Sequence, residues 1–133
     1  ETKITSNVLV TKESSENLSL FISRVIEIIN TTSELFIIDS AHILPEDIIK
    51  YLNADKWDIY YLGYPNTTKE DKLKEIRKYE TKEDWTYKKS NAELLSIFDE
   101  LISLSKKEKV SCEKLGIKYI DVSENLIEKL NIN

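Results

Sequence analysis

Methionine is absent from the 133 residues, cysteine and histidine each occur once, and glycine and proline occur twice each. A single cysteine, Cys112, cannot close an internal disulfide, which excludes a small stapled scaffold. A single histidine, His42, excludes a two-histidine metal site and a His–His acid/base pair within this chain. The glycines, Gly63 and Gly116, lie 53 positions apart. Neither a G-x-x-x-x-G-K-[ST] phosphate loop nor a G-x-G-x-x-G turn can therefore be written with these residues. No apolar run approaches the roughly 18 residues of a membrane span. Glu1–Thr5 lacks the basic start and apolar centre of a signal peptide. With no initiator methionine, the chain reads as a fragment, a processed product or the later part of a longer one. Nineteen basic against 24 acidic residues leave a net charge of −5, against a broad nucleic-acid-binding face. A cytoplasmic, reducing setting is the expectation.

What is present has the proportions of one domain over residues 1–133: 41% hydrophobic residues for a core and 32% charged residues for a surface. Three β-rich runs stand out: Leu35–Ile38 ending at Asp39, Trp57–Leu62 bounded by Gly63 and Pro65, and Ile117–Ile120 ending at Asp121. Val8–Val10 is too short to assign. Unbroken apolar runs fit strands covered on both faces, as in a parallel sheet. Helical spacing fills the intervals. Leu18, Phe21, Ile22, Val25, Ile26 and Ile29 make one face of a helix over Ser15–Ile29. Pro45-Glu46-Asp47 opens another, with the acids explained by the helix dipole. Thr67–Glu70 and Ser90–Glu93 have capping-box spacing, and the second leads into Leu94, Leu95, Phe98, Leu101, Ile102 and Ser105. A last helix is expected over Ser123–Leu130. Strands alternating with helices predict an α/β fold, a layered parallel sheet flanked by helices.

In open α/β sheets ligands bind beyond the carboxyl ends of the strands. The three runs deliver Asp39, Ser40 and His42; then Tyr64, Pro65 and Asn66; then Asp121 and Ser123. Leu-Phe-Ile-Ile-Asp has the form of a Walker-B strand, whose carboxylate orients Mg²⁺ or its water. An aspartate there also serves as an N-cap or turn former. His42 suits either a substrate contact or a structural role. Cys112 has no histidine near it in sequence to act as its base. Lys72, Lys74, Arg77 and Lys78 lead into the charged and aromatic stretch Tyr79–Lys89, and 76–90 is lid-like. A guanidinium can neutralise charge on a transferring phosphoryl group. The same lysines can equally form a solvated helix face paired with Glu70 and Glu75.

Taken in order, several pieces resemble the later two-thirds of a small P-loop kinase of the adenylate-kinase-like or nucleoside-kinase-like sort. They are Leu35–Pro45, Tyr61–Pro65, Lys72–Glu80, Asp84-Trp85-Thr86, Ser105-Lys106 and Ile117–Ser123. The resemblance covers roughly Leu35 to Leu130 and implies a P-loop NTPase-like domain represented without its first βα unit. It implies ATP-dependent phosphorylation of a small molecule such as a nucleotide or nucleoside. Asp39 would sit beside Mg²⁺ and Arg77 would be the catalytic lid cation. His42, Tyr64, Lys72 and Lys78 would meet the phosphate acceptor, and Asp121 and Ser123 would lie near the adenine. ATP and Mg²⁺ are implied only if a phosphate loop lies outside these residues, and Ser40 departs from the Glu or Gly of many relatives. No nucleic-acid or membrane partner is expected, and an uncovered sheet edge invites homodimers. The alternative is a non-catalytic interaction module that keeps a degenerate form of the fold. An AAA-type ATPase, suggested by Ile-Ile-Asp-Ser-Ala-His, lacks the water-activating glutamate.

Overall fold

Thr11 starts the first helix by a reciprocal cap. Its side chain accepts from the Ser14 N–H at 3.1 Å, and its own N–H donates to Ser14 Oγ at 3.1 Å. The computed structural model describes residues 11–32, 34–52 and 57–124, with six elements in chain order. They are α1 (Lys12–Ile29), α2 (Pro45–Tyr51), β1 (Tyr60–Gly63), α3 (Lys69–Tyr79), α4 (Asn91–Leu115) and β2 (Lys118–Asp121). The expected mixture of helix and strand is present. Val8–Val10 and most of the expected Ser123–Leu130 helix lie outside the described residues.

The buried positions of α1 are Ser15, Ser19, Ile22 and Ile26. Of the expected face, Ile22 and Ile26 are buried and Leu18 packs on the same core, while Phe21 is 65% exposed and Ser15 and Ser19 complete the stripe. The cause is α2. Ser15 Oγ donates to Asp47 Oδ2 at 2.5 Å and accepts from the Leu44 N–H at 2.8 Å, while Lys12 also pairs with Asp47. Two polar groups thus pin α2 over that stripe, and Ile22, Ile26, Ile43 and Ile48 close into a core beneath Leu18, Leu52, Trp57, Ile59 and Tyr61. Asp47 is fully buried, so the dipole explanation from sequence was insufficient for it.

Helix α4 runs well past Ser105. Ser90 and Glu93 form its capping box, as the spacing predicted. Gly116 ends it at φ +70°, a left-handed conformation that a Cβ disfavours. The Gly116 and Ile117 amides both donate to the Cys112 carbonyl. Leu94, Phe98, Ile102, Ser105 and Cys112 are its buried positions.

Strands β1 and β2 pair in parallel, Tyr60 opposite Lys118 through Gly63 opposite Asp121. The chain between them crosses through α3 and α4, as parallel neighbours require. The Trp57–Leu62 run therefore gives a strand shifted to Tyr60–Gly63, with Trp57 and Ile59 serving the core. The Leu35–Ile38 run is corrected. It forms no strand, and Leu35 and Ile37 are fully exposed. A strand exists through its ladder of hydrogen bonds, and no described segment supplies a partner here. Among the described residues no helix is long and apolar enough to cross a membrane.

Candidate functional site

Parallel pairing carries the chain ends of β1 and β2 to one rim, and two loops meet there. Val122 N–H donates to the Gly63 carbonyl at 2.8 Å, extending the pairing past the last strand residue. Asn66 N–H donates to Ser123 Oγ at 2.9 Å, and its side-chain amide donates to Asp121 Oδ2 at 2.5 Å. Asp121 Oδ1 accepts from the Ser123 N–H at 2.9 Å, a local turn that presents both oxygens of the carboxylate to neighbouring donors. Residues more than fifty positions apart in sequence thus form one polar cluster.

Helix α4 braces this rim from below. Ser105 Oγ accepts from the Tyr64 N–H at 3.4 Å, and the Ser105 carbonyl accepts from Tyr119 Oη at 3.1 Å. Gly63 is required at this spot, because a Cβ there would collide with Tyr119 Oη and crowd Ser105 Oγ. Lys72 leans over the Tyr64 ring, its Nζ 4.6 Å from the centroid, and pairs with Glu75 at 2.7 Å. Burial, with the nearby charges of Glu108 and Glu75, pushes the Tyr64 hydroxyl up to about 12. It remains a neutral donor at physiological pH. Burial likewise pushes Tyr119 up to about 12.

Of the residues singled out from sequence, Tyr64, Asp121 and Ser123 are brought together here with Pro65 and Asn66, and Lys72 stands beside them. The others lie differently. Asp39 and His42 occupy the exposed segment before α2, outside any strand, so Asp39 does not stand at a strand's dry end. Lys78 is exposed, its Nζ 4.8 Å from the Tyr79 centroid.

Arg77 is turned into its own structure. Its guanidinium donates to Glu80 at 2.7 Å, to the Lys89 and Thr86 carbonyls at 2.7 and 3.5 Å, and twice to Asn91 Oδ1 at 2.9 and 2.8 Å. These five bonds occupy all five donors of the side chain. Buried Thr86 completes the knot by donating to Glu80 Oε2 at 2.9 Å. The lid-like stretch is thereby folded into consecutive turns, Thr81–Asp84, Asp84–Tyr87 and Thr86–Lys89.

The sequence reading places Ser105 and Tyr119 in a helix and a strand without a part in the site, and does not single out Glu108. A signal was present for Glu108. Steps of three and four from Ser105 to Glu108 to Cys112 place a carboxylate on the buried stripe of α4. Among the described residues no group of three or more His, Cys, Asp or Glu side chains could hold a metal ion. Comparison with protein-family models, with curated proteins and with solved structures finds no match for this chain.

Proposed function

We propose that the rim formed by Tyr64, Asn66, Asp121 and Ser123 is a nucleotide-binding subsite of a P-loop-kinase-like domain. The reaction on this reading is ATP-dependent phosphoryl transfer to a small acceptor, a nucleotide or nucleoside. One observation carries it: two parallel strands end side by side, and their following loops are tied into one hydrogen-bonded cluster through Asn66 and Asp121. That is the location where open parallel sheets bind ligands. Asn66 offers an amide with donor and acceptor, and Asp121 and Ser123 offer acceptors and a hydroxyl, a set suited to the polar edge of a base. Lys72 supplies positive charge beside Tyr64. His42 and Lys78 remain acceptor-side candidates.

The reading has defined demands. A phosphate-cradling loop and its lysine must come from outside these residues, which hold only two glycines. Asp39 stands without a ligand set around it, so the residues described do not build a Mg²⁺ site and no step is assigned through one. A direct catalytic role for Arg77 requires that it first leave Glu80, Asn91 and the two carbonyls. Calorimetry with Mg-ATP on the longest natural product containing these residues tests the proposal. Binding that N66A and D121N weaken about tenfold or more supports it, since each removes a charged or bidentate polar partner. No binding by that product removes it.

A second reading, a non-catalytic interaction module, is favoured by a separate observation. Leu35–Ile38 is exposed, and strand β1 separately exposes Tyr60 and Leu62. Large apolar side chains left in water in a run of this kind are a feature of interaction sites. Sedimentation of the chain and of an L35D/I37D variant checks it. A concentration-dependent dimer lost in the variant supports self-association, and a monomer in both excludes it.

A further inference from the structure

A cavity of about 330 Å³ opens between α2 and α4, with Lys12, Pro45 and Glu46 on one side and Lys107, Glu108 and Ser111 on the other, none of them a member of the rim cluster. Its two carboxylates differ. Glu46 accepts a short bond from Ser111 Oγ at 2.5 Å. Glu108 has no hydrogen-bond or ion-pair partner among the described residues. We propose that this seam is a proton-operated latch, in which neutral Glu108 lets α2 close on α4 and ionised Glu108, facing Glu46, loosens it.

The surroundings favour that assignment. From α2, Glu46 lines the cavity, and the neighbouring Asp47 is turned to Ser15 and neutralised by Lys12 of α1. From β1 and the loop after it come Tyr61 and Tyr64, from β2 Tyr119, and from α4 itself Lys107, Ser111, Cys112 and Glu113. From α3 Glu75 acts on this region, through Tyr64. Tyr61 donates to the Ile43 carbonyl at 2.7 Å and Tyr119 to Ser105, so neither hydroxyl is turned to Glu108. Lys12 is committed to Asp47 and Glu16, which leaves Lys107 as the cation of the lining without an ion-pair partner among the described residues. Burial, reinforced by the charge of Glu46, raises the Glu108 carboxyl to about 7. A second negative charge in a partly dry cavity is relieved most simply by separation of the two helices. Asp47 and Ile48 hold α2 to α1, so the side that yields is the one toward α4, where Ser111 to Glu46 is the hydrogen bond between the two helices among the described residues.

The latch does not depend on nucleotide binding at the rim. Its test is a carboxyl-carbon NMR titration of the 133-residue chain from pH 4 to 9, with amide exchange across α2. A Glu108 midpoint near 7, lowered in E46Q, is the expected result. Exchange at the Ile48 and Leu52 amides, corrected for the intrinsic rate, should speed up about tenfold or more between pH 5.5 and 8. E108Q should hold it slow at both. A Glu108 midpoint near its ordinary 4.5, or the same pH response in E108Q as in the native chain, overturns the proposal. Should E108Q fail to fold, the native titration and E46Q decide it.

Discussion

Ser15 Oγ donates to Asp47 Oδ2 at 2.5 Å with both side chains fully buried, and this bond sets α2 against α1. Burial alone would push the Asp47 carboxyl up. The Lys12 ammonium and the Ser15 hydroxyl outweigh it and hold the carboxyl below its ordinary value. The Lys12 pKa is raised in return, through its bond to Asp47.

Removing that anchor should therefore be costly. D47A leaves Ser15 Oγ and the Leu44 amide around a void, and chemical denaturation should show a loss of about 2–4 kcal/mol. The pH sign follows from the depressed carboxyl. Its contribution is complete above the unfolded value near 3.8 and fades as pH falls through the lower folded value. A native unfolding midpoint that declines below pH 4 more steeply than that of D47A checks this.

Arg77 should behave as a staple of the 80–90 turns. R77A is expected to cost about 1–3 kcal/mol and to open Lys78–Lys89 to trypsin. R77K keeps the charge but cannot make five planar bonds, so it should recover only part of the loss. Digestion of R77K at the native rate would show that charge alone suffices.

Gly63 and Tyr119 form a tight pair beneath the rim. G63A should destabilise by about 1–3 kcal/mol, because the new methyl group meets Tyr119 Oη. Y119F removes that oxygen and should be less damaging in the G63A background than in the native one. The coupling energy from a double-mutant cycle measures this directly.

Cys112 should be nearly inert. It is fully buried, and burial with the charges of Glu108, Glu46 and Glu113 pushes its thiol up to about 11. At pH 8 this leaves about 100-fold less thiolate than an ordinary cysteine, before access is counted. Reaction with a disulfide reagent should proceed slowly in the native chain and rapidly in denaturant.

Local chemistry was well announced. Capping at Ser90 and Glu93, proline at the first turn of α2, and an apolar run after Gly116 all acted as their residue types dictate, because caps and turns are settled within a few residues. The candidate rim was half legible. Tyr64, Asp121 and Ser123 follow apolar runs, but Ser105 and Tyr119 support them only through contacts made across the fold. Leu35–Ile38 misled for the same reason. Its composition is that of a strand, yet its hydrogen-bonding partner is not chosen by composition.

The amino-acid order by itself determined the Ser90–Glu93 cap of α4, the Pro45 start of α2, that Gly63 and Gly116 leave no phosphate loop within these residues, and that helix and strand are mixed. Only the tertiary structure decided that Ser15 and Ser19, and not Phe21, complete the buried face of α1, that Arg77 is consumed by its own turns, and that Glu108 shares a cavity with Glu46. Each of those outcomes depends on which distant group arrives to satisfy a charge or a hydrogen bond, and three-dimensional packing alone supplies that partner.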